Sequence, residues 1–552
     1  MKNFSLRFII DKANPGNHLG NKNSDINVWG AATVTSSIQP CPLADIRNFV
    51  KTIQITQATG GNPDRDLFID PLDRSTFNDY DFEELITACH VILSLGLKPY
   101  LKLGSVPIKL TNKAVVDLQY NVNCNPPDDY NAYFRYIKDT ISALTAEFGA
   151  GETQTWQYCV MTEYENIEWF HTSDKNADKS MQAYFHLYDT TVAALQEVLG
   201  RDVNVGAHAM AMGGPGNPNR LWDPTLLLDH CAVGKNYHSG GIGSRLCFLS
   251  VSSYEWPMCN GNVQDISKII APFKEKARKY GLKLSYSIDE GRIGIGSTSG
   301  SMPGSLRHHP ANHITGHAYQ AAYDAQLIKQ MVDNDIDYCS VWGYTSAHGI
   351  SSRINAPDCY PTVSYHVANE FFRMCHGSRL PVQTLYIKPP LDSTAGSQVI
   401  IDALSSIDDE HIYLMVYNFG NSITYDIPVE FEIEIDMSDS SGTSYEIISS
   451  VIGNEANFFP EWLRDRTKYG IGDECFLRSP DSAALDSHNV LADGWARDLY
   501  FKELRPKYVE LSKLQPVFLT IDVKDKKLVI PYTLQANNVV FFRIRKSPCS
   551  LS

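Results

Sequence analysis

Two kinds of hydrophobic spacing take turns along the first two-thirds of the chain. TIQITQATGG at 52–61 alternates apolar and polar positions and stops in glycine, the pattern of a strand running into a loop. FEELITACHVILSLG at 82–96 spaces its apolar residues three and four apart and predicts an amphipathic helix closed by Gly96. LKPYLKLGSVP at 97–107 reads as the next strand, and YNAYFRYIKDTISALTAEFG at 130–149 as a long helix. In WQYCVMTEYENIEWF, 156–170, the positions Trp156, Tyr158 and Val160 predict a strand that delivers Glu163 and Glu165. A helix over 181–200 then leads to the strand VNVGAHAMA, followed by a strand ending at Tyr254 and Trp256 and by the helix ISKIIAPFKEKARKYG. In LSYSIDEGRIG, 284–294, Leu284, Tyr286 and Ile288 make a buried strand that stops in Asp289, Glu290 and Gly291. The helix HAYQAAYDAQLIKQMVDN, the strand DYCSVWGYT at 337–345 and the helical YHVANEFFRMCHG complete the series.

With a first strand near Val28 to Val34, this is about eight strands, each followed by helical material. That grammar predicts an α/β fold of the (β/α)8, or TIM, barrel type. A doubly wound sheet is the rival, but no GxGxxG follows the early strands. Past residue 380 the pattern changes to short alternating strands such as HIYLMVYNF, YDIPVEFEIEI and NNVVFFRIRK, punctuated by Asn, Gly, Asp and Pro. These predict an accessory C-terminal β-sandwich. The expected division is a catalytic barrel over 1–380 and a sandwich over 381–552, with the strand at about 4–11 able to join the sandwich. A segment around 453–514 breaks the strand rhythm as an insertion.

Composition narrows the partners. A formal charge of −15 argues against nucleic acid, which needs a basic footprint, and a neutral substrate is easier to accommodate. No apolar run approaches the roughly 18 residues of a membrane span, and the N-terminus lacks a signal-like apolar stretch, so the expected location is cytoplasmic, away from the membrane. Twelve cysteines are scattered without CxxC spacing. His308, His309, His313 and His317 look metal-like, yet there is no HExxH, and a substrate-binding loop or helix surface explains them better. No metal or cofactor is called for.

Acid at the C-terminal ends of barrel strands is where such folds keep chemistry. Two strand ends about 125 residues apart, each carrying carboxylate, suggest the facing pair that glycoside hydrolysis requires. Glu290 suits a nucleophile that stays ionised, and Glu163, flanked by Tyr164 and near Trp169, suits an acid raised by partial burial. Glu165 competes for the acid role, because it shares the face of Glu163 if the strand continues. By the same alternation Asp289 points away from the pocket that Glu290 faces. Trp342 could offer an indole face to a sugar. His208 and Gln57, at the fifth and second strand ends, could hydrogen-bond its hydroxyls.

The order YDFEELITACHVILSLGLKPYLKLGSVP, WQYCVMTEYENIEWF, FLSVSSYEW, LSYSIDEG and VWGYT resembles the clan A glycoside hydrolases, and among them glycoside hydrolase family 39. That resemblance implies a retaining enzyme related to β-xylosidases and α-L-iduronidases. It makes Glu163 the acid/base, Glu290 the nucleophile and Tyr254 a hydrogen-bond partner of that nucleophile. The family carries Asn directly before its acid/base, where this chain has Thr162. The expected function is release of a terminal sugar, β-xyloside-like or related, from an oligosaccharide or glycoside through a covalent intermediate. A transglycosylase, or a noncatalytic carbohydrate-binding protein on the same scaffold, is the alternative. Barrels with appended sandwiches often associate, so a homo-oligomer is an open expectation.

Overall fold

The computed structural model describes residues 4–37, 41, 43–117, 120–255, 263–293, 318–341, 360–388, 399–422, 424–438, 443–478 and 487–546. The chain folds as a (β/α)8 barrel with a C-terminal β-sandwich. Seven parallel strands form the barrel wall in chain order: Asp25–Gly30, Thr52–Gln57, Lys98–Leu103, Gln157–Val160, Val205–Ala209, Phe248–Glu255 and Ser285–Ile293. The wall closes through 339–341, where Cys339 bridges Ile288 and Val341 bridges Ile26, both in parallel. The first strand lies earlier than the sequence suggests. It ends at Gly30, and Ala31–Ser37 is helical despite its β-branched Thr33, Val34 and Thr35. Packing against the helix Glu83–Ser94 outweighs their modest strand preference.

Helices follow the strands and bury their apolar faces on the outside of the wall. Ile53, Ile55, Leu101, Val160, Ala207, Leu249, Val251 and Ile288 form one apolar cluster with Leu85, Ile92, Ile137 and Leu195 from the helices. Each such side chain contributes on the order of 1.5–3 kcal/mol when removed from water. Helix ends are set locally. Asp129 accepts from the N–H of Asn131 at the start of Tyr130–Phe148, and Asp265 from that of Ser267 in Ile266–Tyr280.

The lumen is built differently, because alternate residues of the same strands carry Asn27, Gln54, Thr56, Tyr100, Lys102, His208, Ser250, Ser252, Ser287 and Asp289, all buried. Polar groups out of water must bond one another. They do so in a network that rises toward the C-terminal ends of the strands.

The sandwich joins a four-stranded sheet, in the order Val382–Lys388, Phe4–Ile10, Val429–Asp436 and Lys527–Leu534, to a six-stranded one. The strand His411–Gly420 shows how it is used. Leu414 and Val416 enter the sandwich core, while Met415, Tyr417 and Phe419 pack on the barrel, with Phe419 5.2 Å from the Tyr319 ring. Between sandwich strands, helices Phe459–Tyr469 and Arg505–Leu511 form their own core around Trp462 and Tyr508. His366 of the barrel helix Val363–Met374 bonds the Ser512 carbonyl at 2.7 Å and ties that unit down.

Candidate active site

The seventh strand departs from plain alternation at its acidic residues. Ser287 pairs with Ser250 and Ile288 with Val251 on the sixth strand, but the next pair is Glu290 with Ser252. Asp289 is therefore the extra residue of a β-bulge. Parallel partners face the same side of a sheet, so the slip turns Glu290 inward beside Ser252 while Asp289 also reaches the lumen. Alternation sent Asp289 elsewhere; the bulge overrules it. Nor does the strand stop at the acids, since it continues to Ile293. Gly291 is required by close approach of the barrel's closing segment: a Cβ there would lie 2.8 Å from Cys339 Sγ.

Asp289 is fully satisfied. Its carboxylate accepts from the hydroxyls of Tyr100 at 2.5 Å, Ser287 at 3.2 Å and Tyr338 at 3.3 Å, with the Lys102 ammonium at 3.6 Å. The Asn27 and Gln54 amides donate to its backbone carbonyl. Desolvating such an ion pair is costly, and these extra donors are what make it tolerable.

Glu290 has far less. Tyr254 donates to its Oε2 at 3.3 Å, and Oε1 is buried with no partner among the described residues.

Glu163 reaches the same place from the fourth strand. That strand ends at Val160, and the chain turns through Met161 (φ 67°) and Glu163 (φ 43°), both in the left-handed region that non-glycine residues seldom enter. The turn is held by Tyr164 N–H donating to the His208 carbonyl at 3.1 Å and Asn166 N–H to that of Glu163 at 2.7 Å. The Glu163 carboxyl accepts from Ser252 Oγ at 2.5 Å and from Asn166 Nδ2 at 2.6 Å. Ser252 is thus both the register partner of Glu290 and a donor to Glu163. The charge of Glu163 acts on Glu290, so the two carboxyls lie near one another.

Burial raises the Glu163 pKa, opposed by the Ser252 and Asn166 hydrogen bonds and by Lys102. Burial pushes Glu290 up to about 8, reinforced by the charge of Glu163 and opposed by Lys102 and Tyr254. Carboxyls this close do not both ionise readily, so the pair holds one proton across neutrality, with macroscopic titrations that belong to both. The stronger donors favour the charge on Glu163.

The other sequence-derived residues fall into distinct places. Glu165 does not share the face of Glu163, because the strand has already ended. It is fully buried and accepts from the N–H groups of Met210 at 3.1 Å and Ala211 at 2.7 Å, clamping the exit of the fifth strand. Thr162 is 2% exposed and its hydroxyl donates to the Thr56 carbonyl at 3.4 Å. His208 is not at the open surface of the site. It lies beneath the pair, fully buried, with Nδ1 2.7 Å from Lys102 Nζ and Nε2 3.0 Å from Ser252 Oγ. Gln57 is buried at its strand end, and neither amide atom has a partner among the described residues. Trp342, His308, His309, His313 and His317 lie outside the described residues. Among the described residues no group of three or more His, Cys, Asp or Glu is placed to hold a metal ion.

Sequence reasoning missed Lys102, Asn166, Ser252 and an aromatic wall. Tyr120 stacks on Trp169 at 4.7 Å and on Trp29 at 6.0 Å. Its phenol is pushed up by burial first and then by Glu163, Glu168 and Glu290, which places it beside the pair. Lys102 had a legible signal: a lysine two residues after Tyr100 inside an apolar strand is buried, and a buried charge needs a partner.

Residues 70–284 match the family model Glycosyl hydrolases family 39. The chain is glycoside hydrolase family 39-like. Among characterised relatives of this family 39-like chain, a β-xylosidase of Caldicellulosiruptor saccharolyticus is 23% identical over 195 residues, covering 35% of each chain. A β-xylosidase of Geobacillus stearothermophilus is 28% identical over 134 residues, 24% of this chain and 25% of that one. The matched stretch thus spans about a third or less of those relatives. The structure of the GH39 enzyme from Xanthomonas axonopodis pv. citri superposes over 100% of this chain and 98% of that chain with a TM-score of 0.61 at 14% identity, a likeness of fold.

Proposed function

We propose that the protein is a retaining, exo-acting glycoside hydrolase that removes a terminal sugar of the β-xyloside type, with Glu163 as acid/base and Glu290 as nucleophile. The observation that carries this reading is that Ser252 donates to the Glu163 carboxyl and pairs in register with Glu290 at the C-terminal end of the barrel, with Glu290 near enough to feel the charge of Glu163. The matches to two β-xylosidases supply the sugar class. The barrel over 1–380 would do the chemistry and the sandwich would support it.

In the first half-reaction Glu163 gives its proton to the leaving oxygen while Glu290 attacks the anomeric carbon and forms a glycosyl ester. The glycosidic C–O bond breaks, and the leaving group departs as an alcohol. In the second half Glu163 takes a proton from water, whose oxygen displaces Glu290 and releases the sugar. The resting hydrogen bonds favour charge on Glu163, so binding must move the proton. A sugar hydroxyl donating to Oε1 of Glu290, which has no partner among the described residues, would do this, favouring charge there and the proton on Glu163. Tyr254 then holds the nucleophile's other oxygen.

The test is a panel of nitrophenyl glycosides with the anomeric configuration of the first-formed product read by NMR. Turnover with retention, lost in Glu290→Ala, supports the reading. Inversion removes the double displacement, and binding without turnover on every sugar removes the hydrolase.

A further inference from the structure

The three polar residues beneath the carboxyl pair form a directed chain, and its direction follows from one charge. An ammonium can only donate, so at 2.7 Å Lys102 Nζ donates to His208 Nδ1. The imidazole is then neutral, carries its proton on Nε2, and donates at 3.0 Å to Ser252 Oγ. The Ser252 hydroxyl, its lone pair taken, donates at 2.5 Å to Glu163 Oε1. Every donor in the chain points at the same carboxyl, and every member is buried. The tautomer is the only one compatible with the lysine.

We infer that Lys102 and His208 are positioning residues that act through Ser252 to strengthen Glu163 as an acid and to hold its carboxylate ready as a base. This deepens the proposed hydrolase reading and rests on it only for its kinetic consequence. Donors aimed at a carboxylate stabilise its charged form, and a chain that begins at a cation polarises each donor in turn. The relay therefore opposes the burial that would make Glu163 a sluggish proton donor. Lys102 is itself anchored by Asp289, the bulged neighbour of the nucleophile, so one ion pair supports both halves of the site. Among the described residues, the other titratable groups around Glu163 are Glu290 from the seventh strand, Tyr120 from the segment after the third, and Glu165 and Glu168 from its own loop, with Tyr254 of the sixth bonded to Glu290.

The test reads Glu163 directly, by infrared titration of its protonated C=O band in the full chain, assigned by the band's loss in Glu163→Gln. His208→Phe cuts the chain and is expected to raise the pH at which the band disappears by about one unit. His208→Gln, whose amide can accept from Lys102 and donate to Ser252, restores it to within about half that shift. Ser252→Ala removes the last link and gives the same upward shift should His208→Phe not fold. In turnover, the broken relay costs an unactivated alkyl glycoside about ten-fold more in kcat/KM than a dinitrophenyl glycoside, whose leaving group needs little acid. An unchanged Glu163 titration in a folded His208→Phe or Ser252→Ala protein overturns the inference. Absence of turnover by the parent protein on any glycoside defeats the hydrolase reading instead, and the infrared titration still judges the relay.

Discussion

Asp289 and Glu290 are neighbours on one strand, both carboxylates, both buried in the same lumen, and they are treated in opposite ways. Asp289 has three hydroxyl donors and an ammonium, whereas Glu290 has one hydroxyl at 3.3 Å and an oxygen with no partner among the described residues. A carboxylate satisfied on every side is inert scaffold. One kept dry and under-bonded holds its nucleophilicity and its affinity for a donor in reserve. The bulge is what allows both to face inward, one residue apart.

The comparison breaks most visibly at the larger end. Glu290→Ala should cut glycoside turnover by at least about 10⁴-fold with little loss of stability, since a group with few bonds has few to lose. Asp289→Ala should do the reverse in kind. It leaves Lys102 buried and uncompensated, destabilising the fold by about 3–5 kcal/mol in denaturant titrations, with activity falling as a consequence. Equal destabilisation by both variants would erase the contrast. Tyr254→Phe tests the bond that Glu290 receives from Tyr254, and should cost about 1 kcal/mol of transition-state stabilisation, roughly five- to ten-fold in kcat/KM.

Two pH measurements sharpen the contrast further. The upper limb of the kcat/KM profile should fall near pH 8, where burial and Glu163 place the Glu290 titration, and it should move in Glu163→Gln because the limb belongs to the pair. Stability has its own pH term. Burial raises Glu165 to about 7 from an ordinary value of 4.5, so the folded protein binds the proton more tightly than the unfolded chain. The contribution is full below about pH 4.5 and is lost as pH rises through 7. Denaturation midpoints at pH 5 and pH 8 should show that decline, and Glu165→Gln should flatten it.

The change of period from two to three-and-four announced the barrel, and the return to strict alternation past residue 380 announced the sandwich. The acids were legible because they interrupt apolar runs. What the sequence could not display was register. Glu290 faces inward only because Asp289 is extruded from the pairing, and no residue type marks that slip. The Lys102, His208 and Ser252 chain joins the third, fifth and sixth strands, so each member looks like an isolated polar residue until the sheet curls. His208 sits at the fifth strand's end as its pattern predicts, but its partners come from other strands. The first strand was misplaced because Thr33, Val34 and Thr35 favour a strand locally and are overruled by helix packing.

Phe4–Ile10 lies between Val382–Lys388 and Val429–Asp436 in the middle of its sheet. This segment leaves the ribosome almost four hundred residues ahead of either flanking partner. The whole barrel is threaded between them, so the sandwich cannot be completed until the barrel's chain has been made. Deleting Phe4–Ile10 would open a gap in the interior of that four-stranded sheet, which closes only after the barrel's chain is made.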